Sequence, residues 1–161
     1  MSAPHVFTRF AVQERPDGVL GELTDLLAEG VLDRPRYDAL TATVDDTERA
    51  AFDDGRLDLL LYVARDFLAD HSLDANEAQT LRELTILLRV REGEFTQRRS
   101  GPLGRLLRTE MGRIAADGLL DWTEEAYLAA LQAAFRLGYD EFLALACGDL
   151  TTDQRRALRL P

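Results

Sequence analysis

The chain has no lysine: all 19 of its basic residues are arginine. That excludes a phosphate-cradling loop of the Gly-rich type, which needs a lysine to reach the phosphates. It has a single cysteine, Cys147. An intramolecular disulfide is therefore excluded, and a reducing compartment suits the chain. Cys147 closes the apolar run 143–147 and reads as core rather than nucleophile. Histidine is as scarce, with only His5 and His71. Nucleophilic catalysis, which wants Ser or Cys beside a base, finds little support. No apolar run reaches membrane-spanning length and no signal segment opens the chain, so a cytoplasmic location with no membrane span is expected. Positive charge is in short supply overall. The net charge of −10 argues against nucleic-acid binding. It suits cations or a basic partner instead.

What is present is enough for a core. With 161 residues and 46% apolar content, one domain is the expectation.

The chain is organised around residues 116–124, A-D-G-L-L-D-W-T-E. The stretch recurs 47 places earlier at 69–77 as A-D-H-S-L-D-A-N-E. Across 69–95 and 116–142 ten of 27 positions are identical, among them Leu81/Leu128, Leu84/Leu131, Arg89/Arg136 and Phe95/Phe142. Composition alone gives roughly two or three. Gly118 reads as a left-handed helix C-cap. Asp121 reads as the next N-cap, with Glu124 closing a capping box and Leu120 as hydrophobic staple. Asp74, Glu77 and Leu73 repeat this, but His71 stands where Gly118 does, so that turn is made at a cost or in another geometry. Each copy is thus helix, short turn, capped helix.

Along the chain, residues 1–16 show no helical period and read as an extended arm pinned by Val6, Phe7 and Phe10, with His5 exposed. Residues 19–29 read as a helix stopped by Gly30, and Asp33 with Pro35 starts another, whose inner face is Tyr37, Leu40 and Val44. The turn 28–33 looks like a third copy. The plainer account, that any C-cap followed by an N-cap looks this way, is preferred. D-D-G-R-L-D at 53–58 suggests a Ca²⁺ loop, but the EF-hand spacing fails there and in both repeat copies. A core helix over 57–69 and a capped one over 74–89 form the first hairpin. Gly93, Gly101, Pro102 and Gly104 mark 90–104 as the longest break. Between Arg82 and Arg113 stand eight arginines against four glutamates. That cluster reads as a solvated connector, with a docking patch for an acidic partner or anionic lipid as the alternative. Helices over 103–116 and 121–136 form the second hairpin, with Trp122 expected half-buried. Each copy ends on an E-F step, Glu94–Phe95 and Glu141–Phe142. A short apolar helix over 141–147 and an amphipathic one capped by Thr151 or Thr152 close the chain.

A-D-G-x-L-D-x-x-E with a later E-F step, present twice over 57–142, resembles the TerB-like superfamily, which takes its name from a tellurite-resistance protein. The resemblance implies an all-α, compact single-domain array of about seven to nine helices built around two repeated α-hairpins. It would span 1–161, with repeats at 57–95 and 104–142 and an N-terminal extension 1–50 that has no counterpart. It also implies a cytoplasmic or peripheral-membrane role in stress-response complexes with a protein partner. Finally, it implies a divalent-metal site (Ca, Mg or Zn), carried here by Asp117, Asp121 and Glu124 and by Asp70, Asp74 and Glu77.

Two pseudo-symmetric turns brought together would offer a hard cation six carboxylates. Apart, each has two of its three engaged in capping, and capping with solubility is the preferred account of them. His71 as a ligand is the less favoured reading; a plain turn residue is preferred. The expected function is a non-enzymatic binding module whose acidic surface takes a divalent cation or a protein partner. The rival is a metal-dependent enzyme, which needs a cleft where the acids of both hairpins meet.

Overall fold

In the computed structural model, residues 3–116 and 121–157 are described. Among them the chain is all-α, as expected: nine helices and one 3-10 turn, without a strand. The helices are α1 (Ala3–Glu14), α2 (Gly18–Ala28), α3 (Arg34–Thr41), α4 (Arg49–Phe67), α5 (Ala75–Leu87), α6 (Glu94–Ile114), α7 (Trp122–Ala134), α8 (Tyr139–Ala146) and α9 (Thr152–Ala157). The 3-10 turn, Leu68–Asp70, follows α4.

Helix α4 is the centre, packed by α1, α2, α5 and α6. Leu59, Leu60 and Leu61 are all buried, and three successive helical residues point about 200° apart, so neighbours surround the helix. The expected face of Leu57, Leu60, Leu61, Ala64, Phe67 and Leu68 is buried too. Each such leucine contributes about 1.5–3 kcal/mol of burial.

Both capping boxes form. Asp74 accepts from the Glu77 N–H at 2.8 Å, and Glu77 accepts from the Asp74 N–H at 3.1 Å. Asp121 and Glu124 do the same at 2.8 and 3.2 Å. Each box stabilises its helix start by about 1 kcal/mol. Helices α5 and α7 then end alike. Arg89 and Arg136 are left-handed, each with φ 52°. Val90 N–H donates to Thr85 O and Arg89 N–H to Ile86 O, both at 3.1 Å. Leu137 and Arg136 repeat the pattern on Gln132 O and Ala133 O at 3.1 and 3.2 Å. This is the Schellman closure normally made by glycine. His71 takes the left-handed turn as well, with φ 60°, a conformation that costs a non-glycine residue about 1–2 kcal/mol. Gly118 and Leu120 lie outside the described residues. Gly30 stops α2 at φ 69°, and Asp33 caps α3 through Arg36 N–H at 2.9 Å. Thr151 caps α9 by accepting from Gln154 N–H at 3.2 Å.

Four expectations are corrected. Residues 1–16 do not form an extended arm: 3–14 are α1. Val6, Phe7 and Phe10 are buried as expected, but at helical spacing, and Phe10 meets Tyr62 edge-on at 5.2 Å. Packing on α2 and α4 fixes this helix where local signals do not.

Second, α4 begins eight residues before 57, so Gly55 is helical and not part of a loop. Third, the break over 90–104 is mostly helix. Only Arg99, φ −137° and ψ 30°, leaves helical geometry inside α6. Pro102 falls in the first turn after that kink, where its missing N–H costs nothing. Fourth, Trp122 is 79% exposed. It stands nine residues before buried Leu131, about 180° round the helix, so it faces away from the core.

Candidate functional site

The acidic turns are where the expected ligands lie. Asp70 accepts from Ser72 at its hydroxyl (2.8 Å) and its N–H (3.0 Å). Those bonds, the hydroxyl's first, hold its carboxyl below the usual carboxylate range. Asp74 and Glu77 each have one oxygen in the first capping box, and Asp121 and Glu124 each have one in the second. Asp117 lies outside the described residues. Among the described residues, no three carboxylate, imidazole or thiol side chains stand close enough to hold a metal ion.

The structure joins the first turn to the second helix pair through a residue that the sequence reading counted only as charge. Glu110 on α6 is 2% exposed. Tyr127 on α7 donates its hydroxyl to Glu110 Oε2 at 2.7 Å. His71 Nδ1 stands 3.4 Å from Oε1, and Arg113 Nε 3.6 Å from Oε2. The Arg113 guanidinium also lies 5.8 Å from the centre of the Tyr127 ring. Burial first, then Glu110, pushes the Tyr127 hydroxyl far above its usual range, so it stays a donor. A signal for Glu110 existed: it falls four residues after Leu106 and four before Ile114, on the buried stripe of its helix.

Five of the eight arginines of the cluster are ion-paired, so it is more than a solvated connector; Arg82, Arg91 and Arg105 are exposed without an ion-pair partner among the described residues. Arg98 Nε meets Asp54 at 2.7 Å, and Arg99 binds Asp58 through two nitrogens at 2.7 and 2.9 Å. Arg108 pairs with Asp149 at 3.0 Å, Arg89 with Asp38 at 2.6 Å, and Arg113 with Glu110. Buried Arg56 joins Asp53 (3.1 Å), Glu94 and the Leu88 carbonyl (3.1 Å). Asp54 and Asp58 on α4 thus pair with Arg98 and Arg99 on α6.

Glu94 and Glu141 also act locally. They accept from Arg91 N–H at 2.9 Å and Gly138 N–H at 3.0 Å, while Phe95 and Phe142 are buried behind them. Cys147 is buried, as expected, and burial pushes its thiol up. A raised thiol is a poor nucleophile.

The start of α7 is exposed. Trp122 stands there between Asp121 and Glu125, both exposed, and neither carboxylate has an ion-pair partner among the described residues. No family model, curated protein or solved structure matches this chain.

Proposed function

We propose that the chain is a non-enzymatic helical binding module, of the kind its resemblance to TerB-like proteins implies, and that it docks a basic protein segment at the start of α7. Exposed Trp122 between Asp121 and Glu125, two carboxylates with no ion-pair partner among the described residues, carries this reading. Tryptophan is the side chain most enriched among residues that dominate binding energy. Its acidic neighbours, in a chain of net charge −10, favour a basic partner and would speed its approach.

Trp122 is the single tryptophan, so its emission reports this site alone. The full chain is titrated with an Arg-rich amphipathic peptide. Emission should shift to shorter wavelength, the shift should fade with salt, and Trp122→Ala should abolish the heat of binding without moving the melting temperature. No shift at millimolar peptide would overturn the reading. A shift caused instead by Ca²⁺, Mg²⁺ or Zn²⁺, and lost in Asp121→Asn, would move the site to the cation reading.

A further inference from the structure

Two sequence segments have glycines whose role is still open: D-D-G-R-L-D on α4 and S-G-P-L-G on α6. Both contain residues that disfavour helix, yet both are helical. Gly55 in a helix interior costs about 1 kcal/mol relative to alanine. Such local costs mark places where something else is being served.

The two segments meet at one groove. It has a volume of about 420 Å³ and lies between α1, the start of α2, α4 and the second half of α6. Gly55 and Pro102 both line it. A Cβ at position 55 would lie 2.3 Å from Leu20 Cδ2, so glycine there is what lets Leu20 close against α4. A Cβ at Gly21 would lie 2.5 Å from the Pro16 carbonyl, so glycine is also what lets the α1–α2 turn sit tight against α2. The kink at Arg99 puts Pro102 in a first turn.

The lining has a distinct chemistry. Phe10, Leu20, Leu61 and Tyr62 supply an apolar wall. Arg65 and Arg105 line the same groove, and neither has an ion-pair partner among the described residues. Two carboxylates also line it. Asp58 is already bound by Arg99, while Glu14 is unpaired among the described residues. Two arginines against two carboxylates make the groove formally neutral in a strongly acidic chain, with Arg65 and Arg105 the cations left to meet a ligand.

The geometry points to a binding site for a small amphipathic carboxylate: an apolar body against Phe10, Leu20 and Leu61, and an acid group held by Arg65 and Arg105. The volume is in the range of ligand pockets. An unpaired guanidinium is the side chain best suited to a carboxylate. This site is separate from the start of α7 and stands independently of the docking reading.

The test titrates the full chain with octanoate, octylammonium and acetate, read by calorimetry and by backbone amide shifts. Octanoate should bind and move the amides of Leu20, Gly55 and Arg105, while octylammonium and acetate should not. Arg65→Gln with Arg105→Gln should weaken octanoate about tenfold or more, and the double lysine variant should retain most binding. Both arginines are exposed, so the variants should melt like the parent. Failure of octanoate to bind at millimolar concentration would overturn the inference. So would equal binding of octylammonium, or a double glutamine variant that binds as well as the parent.

Discussion

Helix α4 with α5, and α6 with α7, share a backbone plan. Helices α4 and α6 end at Phe67 and Ile114; α5 spans Ala75–Leu87 and α7 spans Trp122–Ala134, each 47 residues on. Their interiors differ. Val63, wholly buried, is replaced 47 residues later by buried Glu110. Thr80, which only bonds back to Asn76 O at 2.8 Å, is replaced by Tyr127, which satisfies that carboxylate. At these two positions one copy is without a charge and the other holds a carboxylate with its donor. The backbone plan thus tolerates either interior, provided that a buried carboxylate comes with a partner.

Four substitutions would break or sharpen this contrast. The largest effect should come from Val63→Glu. It puts the second copy's carboxylate in the first, where no tyrosine waits, and should cost more than about 4 kcal/mol, read as loss of the cooperative urea transition. A variant that folds normally would mean the two interiors are interchangeable.

Tyr127→Phe comes next, at about 1–3 kcal/mol, because Glu110 loses its closest donor. Adding Glu110→Val should recover most of that loss, and the double-mutant cycle measures the coupling. The same tyrosine gives an alkaline signature. Its folded pKa is raised, so its contribution is full below the unfolded value of 10.0 and is lost as pH rises past it. The parent should lose stability above that pH more steeply than Tyr127→Phe. Equal slopes would exclude Tyr127 as the cause.

The smallest effect is His71→Gly, which gives the first turn the residue of the second. Relief of the left-handed strain should raise stability by about 1 kcal/mol in a urea titration. No gain would show that the 3.4 Å approach of His71 to Glu110 offsets the strain.

Features set by a few adjacent residues were legible. The Asp–Glu boxes, the Gly30 stop and the Asp33 cap each depend on side chains within one turn of their targets. Features set by distant packing were not. Helix α1 is fixed by what Phe10 and its neighbours meet. The left-handed closures at Arg89 and Arg136 hide because arginine seldom adopts that conformation. Arg136 is held there by donating to Val90 O at 3.0 Å, across from the other copy. The exposure of Trp122 was legible from its angle to Leu131 but was outweighed by its size. Of the six expected metal ligands, the sequence conveyed their four capping roles but not whether they converge.

The kink at Arg99 has a consequence for how the molecule could be divided. Helix α8 ends at Ala146, which is 47 residues past Arg99. The first turns of α6 therefore correspond to α8, a separate short helix, while the rest of α6 opens the second copy. The two copies share one strut with a bend in it. Neither can be excised at a loop, because the junction between them is hydrogen-bonded helix on both sides of a single residue. Two helix pairs joined in this way should behave as one mechanical body, melting and exchanging amide protons as a unit rather than as two modules on a tether.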